Sequence, residues 1–314
     1  MSEAGTPPRW KRHRGERPID LLGLGQISLD RVGAVASWPA LGGKRALEDE
    51  RELPGGQVAT AVLAATRLGL RCAIAGAIGD DEAALRALAP LVAAGVDCEA
   101  VRRVRGARTR QAWVLRERAS GERTVFERRD PALRLEPHEV PDALVARAAA
   151  LLVDTEHPEA SLRAVRMARK AGTLTLCDVE RADEPSLAIA REVDFPIVSE
   201  AFADETSSGD CAAALRDLSG SATRMAVVTR GERGALALCG GRMHEVSALR
   251  IQALDTTGAG DVFRGAFAFA VLDGRGAREV LEFACAAAGL GCLGRGAQGG
   301  LPDLATVEAR LRRA

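Results

Sequence analysis

Short apolar runs alternating with helical patterns constrain this chain more than any other feature. Residues 19–23 read as a strand, 58–68 as a helix, 72–77 as a strand and 83–94 as a helix. The rhythm resumes with strands at 151–154, 173–177 and 195–198, separated by helical patterns at 162–171 and 189–192. Strands that are apolar almost throughout are buried on both faces. The pattern therefore implies an α/β fold with a mostly parallel sheet covered by helices on each side. A chain of 314 residues can build one large domain of this kind or two smaller ones, with a substantial core.

Charge and cysteine usage narrow the function classes. Lys and Arg number 43 and so do Asp and Glu, so no long-range field recruits nucleic acid or an anionic membrane, although a zero sum can conceal a local basic patch. No apolar run is long enough to span a bilayer and the N-terminal stretch has no apolar signal core, which points to a cytoplasmic protein. The seven cysteines are an odd set without a Cys-x-x-Cys pair and read as small buried hydrophobes in a reducing compartment. The four histidines lack metal-ligand spacing. Residues 1–17, with Pro7, Pro8 and a basic cluster that ends at Arg17, read as a mobile tail before one domain over 18–314.

Two segments break the rhythm. Residues 31–54 and about 107–129 are strand-like and partly exposed, with 111–116 and 124–127 suggesting a hairpin that turns near Ser120 and Gly121.

The stretch 253–267 carries the chemistry. Gly258, Ala259 and Gly260 form a small-residue turn that opens an apolar helix, and their free N–H groups can hold the charge developing on a transferring phosphoryl group. Asp261, at the helix start, is placed to accept a proton from an attacking hydroxyl; capping the helix is the competing role for the same carboxylate. Gly289, Gly291 and Gly294 match Gly-x-Gly-x-x-Gly, but inside an Ala-rich helical run instead of after a strand, so this is a chance match. No Gly-x-x-x-x-Gly-Lys-Ser/Thr sequence exists, which excludes a P-loop.

Five motifs in order, from about Pro18 onward, resemble the ribokinase (PfkB) family of carbohydrate kinases. They are the first strand leading to Asp30, the Gly55-Gly56 pair opening a helix, Gly76 to Asp81 with Gly95 to Asp97, Thr229 to Gly234, and the turn at Gly258. The resemblance implies a ribokinase-like fold in which 31–54 and 107–129 form a small β-sheet lid over a sugar. It also implies transfer of the ATP γ-phosphoryl group to a primary hydroxyl, with Asp261 as general base and Gly258, Ala259 and Gly260 as anion hole. Asp30, Gly55, Gly56 and Gln57 are the implied sugar ligands. Arg110, Arg128 and Glu156 face the same pocket or remain solvated charges. Gln57 replaces the Asn or Lys usual in the family.

For ATP, the resemblance implies Thr229, Gly231 and Gly234, with 285–293 packing near adenine. Mg2+ is an implied cofactor, yet the family's Asn-x-x-Glu motif is absent at 198–202, leaving Glu200 as the substitute ligand or as a surface-helix residue. K+ is implied beside Asp255, Thr257 and carbonyls near Arg295. In this family the lid often pairs with a second subunit, and Val35, Trp38 and Trp113 are the exposed apolar residues suited to a homodimer. Ser199, Phe202, residues 28–32 and residues 299–303 most resemble the ketohexokinase and sulfofructose kinase branch, so a ketose or ketose-like sugar is the first choice. A nucleoside kinase of the same fold and a non-catalytic sugar or nucleotide sensor are the alternatives.

Overall fold

The structure is a computed structural model that describes residues 17–120 and 123–313; the tail reading for 1–16 and the turn position Gly121 lie outside them. Its strands, in chain order, are β1 (Ile19–Leu24), β2 (Ser28–Val35), β3 (Glu48–Gly55), β4 (Cys72–Gly79), β5 (Val101–Val104), β6 (Gln111–Glu117) and β7 (Arg123–Arg128). They continue with β8 (Ala148–Val153), β9 (Leu174–Val179), β10 (Phe195–Ser199), β11 (Met225–Thr229), β12 (Ala235–Cys239) and β13 (Arg242–Val246). The helices are α1 (Gln57–Arg67), α2 (Glu82–Ala93), α3 (Asp142–Ala146), α4 (Pro158–Lys170), α5 (Glu184–Glu192), α6 (Glu200–Ser207), α7 (Cys211–Leu218), α8 (Ala259–Leu272), α9 (Ala277–Gly291) and α10 (Leu304–Leu311).

A nine-stranded sheet runs in the order β13-β12-β11-β10-β9-β8-β1-β4-β5. It is parallel from β11 to β5, with β12 and β13 added antiparallel at one edge. Every residue of β1, β4, β8 and β9 is buried, including the polar Asp20, Thr175 and Asp178 among their mostly apolar neighbours. One core lies between the sheet and α1, α2, α8, α9 and α10; a second lies under α3 to α7 on the opposite face. Gly265 lets α8 approach α1 so closely that a Cβ there would collide with the carbonyl oxygen of Ala61. Both helices are opened by a glycine, Gly56 for α1 and Gly258 for α8.

The lid is a four-stranded sheet, β3-β2-β6-β7, in which β2 and β6 are parallel and the outer pairs antiparallel. It starts at Ser28, earlier than the sequence indicates, and Asp30 belongs to the lid instead of ending the first strand. The buried carboxylate of Asp154 accepts the N–H of Gln26 at 2.8 Å, which ends β1 at Leu24 and redirects the chain. Val35 is buried, not exposed, because it sits within the β2–β6 pairing; Trp38 and Trp113 are half-buried. The exposed large apolar residues of the lid segments are Leu41 and Leu47, between β2 and β3, and Val125 and Phe126, on the edge strand β7. Arg17, assigned to the tail from sequence, is anchored: its guanidinium donates to the Ala148 and Ala171 carbonyls and to Thr173 Oγ1 at 2.6–2.7 Å.

Candidate active site

β1 lies between β4 and β8, so the connections from these neighbours diverge and open a crevice at the carboxyl ends of the strands, where open α/β sheets bind ligands. Asp154 follows β8, Asp178 is near the end of β9, and Ser199 and Thr229 end β10 and β11. The lid covers this side through Asp30, and α8 points its N-terminus into it.

Gly258 caps α8 in the left-handed region at φ 77°, and a Cβ there would lie 2.7 Å from Ala297 Cα. Only glycine satisfies both conditions. Among the described residues the amides of Gly258, Gly260 and Asp261 have no hydrogen-bond partner, whereas the Ala259 N–H donates to the Thr256 carbonyl at 3.2 Å. The amides left free at this turn are those of Gly258, Gly260 and Asp261; the Ala259 amide, read from the sequence as free, is engaged.

Beneath the turn lie three acidic side chains. Asp261 is half-buried; Asp178 and Asp154 are fully buried. Arg264, one helical turn beyond Asp261 and 4% exposed, places Nη2 2.5 Å from Asp178 Oδ1, an ion pair whose angles fall outside hydrogen-bond geometry. Desolvation, then the Asp178 charge, pushes the Asp261 carboxyl well above the ordinary carboxylate range, and Arg264 opposes this. Desolvation also raises Asp178 and Asp154 to about 7. A carboxyl whose pKa is raised in this way is a candidate proton acceptor. Since the base must be deprotonated, activity should rise with pH through the raised pKa. Asp178→Asn removes the like charge and should move this acid limb to lower pH in a kcat–pH profile; an unmoved limb would separate Asp178 from Asp261.

On the lid side, Asp30 accepts from Ser28 Oγ at 2.8 Å, and burial raises its pKa. Gly55 leaves the space that this carboxylate occupies: a Cβ there would collide with Asp30 Oδ2. Gly56 caps α1 at φ 97°, where a Cβ would lie 2.5 Å from the Gln26 carbonyl oxygen. The Gln57 side-chain Nε2 is buried without a partner, a donor free for a ligand hydroxyl. Glu156 meets Arg129 at 3.2 Å and Arg110 at 3.9 Å, and Arg110, 6% exposed, also pairs with Glu127 at 2.5 Å. Arg128 donates to Gln111 Oε1 at 2.6 Å and stacks 5.9 Å from the Trp113 ring.

Sequence reasoning missed the buried carboxylates Asp154 and Asp178 and, beside them, two residues that tie the site together. Gln26 links the region: its N–H binds Asp154, its Oε1 accepts the Gln57 N–H at 3.3 Å and its Nε2 reaches Glu156 at 3.4 Å. Arg264 is the other. A cation inside the apolar run of α8 was the available signal, since a buried charge demands a partner.

On the opposite side of the turn, Thr229 donates to the Val198 carbonyl at 3.3 Å. Gly231 and Gly234 have φ 55° and 86°, and a Cβ at Gly234 would strike the Val246 carbonyl. The Glu200 carboxylate pairs with Arg233 of this turn. Asp255 joins two loops by accepting the N–H groups of Thr257 at 3.0 Å and Gly296 at 2.8 Å. Gly289 and Gly291 lie within α9, so the Gly-x-Gly-x-x-Gly match opens no strand-to-helix turn. Among the described residues no group of His, Cys, Asp and Glu forms a metal cluster, and no helix is long and apolar enough to cross a membrane.

A glycine-opened helix aimed at a carboxylate-lined, lidded crevice defines a phosphoryl-transfer class of fold and site. The chain belongs to the PfkB family of carbohydrate kinases, whose model matches residues 20–304. It is 30% identical to fructokinase-2 of Solanum lycopersicum over 82% of this chain and 86% of the relative. The fold matches Arabidopsis thaliana ribokinase complexed with ribose and ATP at a TM-score of 0.80 and 23% identity, covering 94% of this chain and 99% of the other. An Escherichia coli structure in complex with ATP and Mg2+ matches at a TM-score of 0.81 and 20% identity, covering 94% and 100%.

Proposed function

We propose that this ATP-dependent carbohydrate kinase transfers the γ-phosphoryl group to a primary hydroxyl of a ketose or ketose-like sugar. The observation that carries the reading is the unpartnered amides of Gly258 and Gly260 directly before the carboxylate of Asp261, whose pKa is raised. Asp261 takes the proton of the sugar hydroxyl as its oxygen bonds to phosphorus. The bond from phosphorus to the bridging oxygen breaks, and ADP leaves with that electron pair. The amides hold the charge of the transferring group. Asp30, Gln57 and Glu156 orient the sugar, and the lid excludes water.

Mg2+, when bound with ATP, neutralises and orients the triphosphate. Glu200 is the carboxylate suited to it, through water, once Arg233 turns from Glu200 to a phosphate. Asp255, which keeps lone pairs beyond its two backbone contacts, suits K+ together with Thr257 and carbonyls near Arg295. Thr229, Gly231 and Gly234 serve the nucleotide. The exposed edge of β7, with Val125 and Phe126, suits a homodimer through the lid. Seven free cysteines fit the cytoplasm.

The test is a screen of ketoses, aldoses and nucleosides with ATP, Mg2+ and K+, monitored by mass spectrometry. ADP and a phosphorylated ketose should form in equal amounts, with Asp30→Ala weakening sugar binding about 10–100-fold while an unreactive ATP analogue binds as before. A ligand that binds beside ATP and never acquires phosphate would favour a sensor, and a phosphorylated nucleoside would favour a nucleoside kinase.

A further inference from the structure

Between the lid and the loops at 253–257 and 295–296 lies a hollow of about 280 Å³, lined in part by residues that strand register sets on the same face of the lid as Asp30. Strand register fixes where its side chains stand. Asp30 and Ala112 lie abreast with Glu127; Val32 and Val114 follow with Arg51; Ala34 follows with Arg116 and Arg123. Side chains two apart on a strand share a face, so the arginines look out on the same side as Asp30, about 7–13 Å further along. A β-bulge between Val32 and Ala34 bends the strand at this point, a device common beside binding sites.

Charge along the crevice is strongly uneven. Its inner part is acidic, with Asp30, Glu127, Asp154, Glu156, Asp178 and Asp261 set against Arg110, Arg129 and Arg264. The outer hollow is lined by Arg51, Arg116, Arg118, Arg123 and Arg295 against Asp49 and Asp255. Arg118 is neutralised by Glu48 and Asp49, each at 3.0 Å. Among the described residues, Arg51, Arg116, Arg123 and Arg295 make no ion pair and no side-chain hydrogen bond, although carboxylates elsewhere on the lid are paired. Arg116 and Arg123 even stand directly opposite one another, an arrangement that costs stability unless an anion lies between them.

We infer that this hollow is an anion subsite for the substrate: the sugar is neutral at the hydroxyl that is phosphorylated and carries a phosphate, sulfonate or carboxylate at its far end. The inference rests on the sugar-kinase reading and adds the substrate class to it. An acidic inner crevice accepts neutral hydroxyls as hydrogen-bond donors, while planar guanidinium forks match the oxygens of a tetrahedral or planar anion.

The test measures binding by calorimetry, with fructose, fructose 6-phosphate, 2-ketogluconate and inorganic sulfate as probes of the wild type and of Arg116→Gln/Arg123→Gln. The wild type should bind sulfate and at least one anionic sugar, the latter about tenfold or more tighter than fructose. The phosphate and carboxylate arms show which anion the subsite prefers. In the double variant the advantage should vanish, with fructose affinity within about twofold of wild type and the thermal midpoint unchanged or raised as the facing charges are relieved. Arg51→Gln, one register step nearer Asp30, repeats the measurement at an independent position. Absence of binding by all anionic probes, or an advantage that survives both variants, overturns the subsite. With an unreactive ATP analogue as a further probe, a loss confined to that analogue also overturns it and would assign the arginines to the nucleotide. The parallel turnover screen keeps the two readings apart: neutral sugars phosphorylated without anion preference leave the kinase standing and remove the subsite, and no phosphorylation of any sugar removes the kinase reading itself.

Discussion

Asp261→Asn is expected to lower kcat by about 10²–10⁴-fold, the range supplied by a positioned general base. The substitution keeps the volume of the side chain and removes only the acceptor. The turn is held independently, by the φ of 77° at Gly258 and the contact of Val262 N–H with the Gly258 carbonyl at 2.9 Å. Binding of an ATP analogue and the thermal midpoint should therefore change little, and the midpoint should rise slightly if anything, because a desolvated carboxyl beside Asp178 is replaced by a neutral amide. Single-turnover kinetics at saturating sugar separate the chemical step from binding. Near-normal turnover there would remove Asp261 as the base and leave it as an acidic residue in the first turn of α8, favoured there by the helix dipole.

Residues with local consequences were legible in the sequence. Gly258 and Gly56 sit at positive φ where helices begin, and a glycine before an apolar helix signals that geometry from the chain alone. Fully buried β8 reads as an uninterrupted apolar run, which is what burial on both faces demands, whereas the equally buried β9 carries Thr175 and Asp178. Features that depend on distant parts of the chain were hidden. Gln26 matters because Gln57, Asp154 and Glu156 converge on it, and nothing in its neighbours announces three partners. The lid boundary was misplaced for the same reason, since it is Asp154, from beyond β8, that ends β1. Val35 was read as exposed because strand alternation does not show what a neighbouring strand covers. The pairing of Glu200 with Arg233 likewise joins two elements that only the sheet brings together.

Arg264→Met should destabilise the fold by about 3–5 kcal/mol at alkaline pH, the loss typical of breaking a buried ion pair from one side. Met fills much of the same volume, so the loss measures the charge of Asp178 left without its cation, not a cavity. The effect must depend on pH, and its sign follows from the raised pKa of Asp178. That group sits at about 7 in the fold against 3.8 for an unperturbed carboxyl. A raised pKa favours the folded state below the unfolded value and loses that contribution as pH rises through the folded one. Without Arg264 the pKa of Asp178 moves higher still, so the gap between variant and wild type should be small near pH 5, where Asp178 binds a proton in both, and widen towards about pH 9. Urea midpoints across this range test it. Asp178→Asn on top of Arg264→Met should recover most of the alkaline loss, because the buried charge is gone. A gap independent of pH, or one that the second substitution leaves in place, would show that Arg264 acts through packing alone. Kinetics supply an independent sign: loss of the cation raises the pKa of Asp261, so the acid limb of the Arg264→Met profile should move to higher pH, opposite to Asp178→Asn.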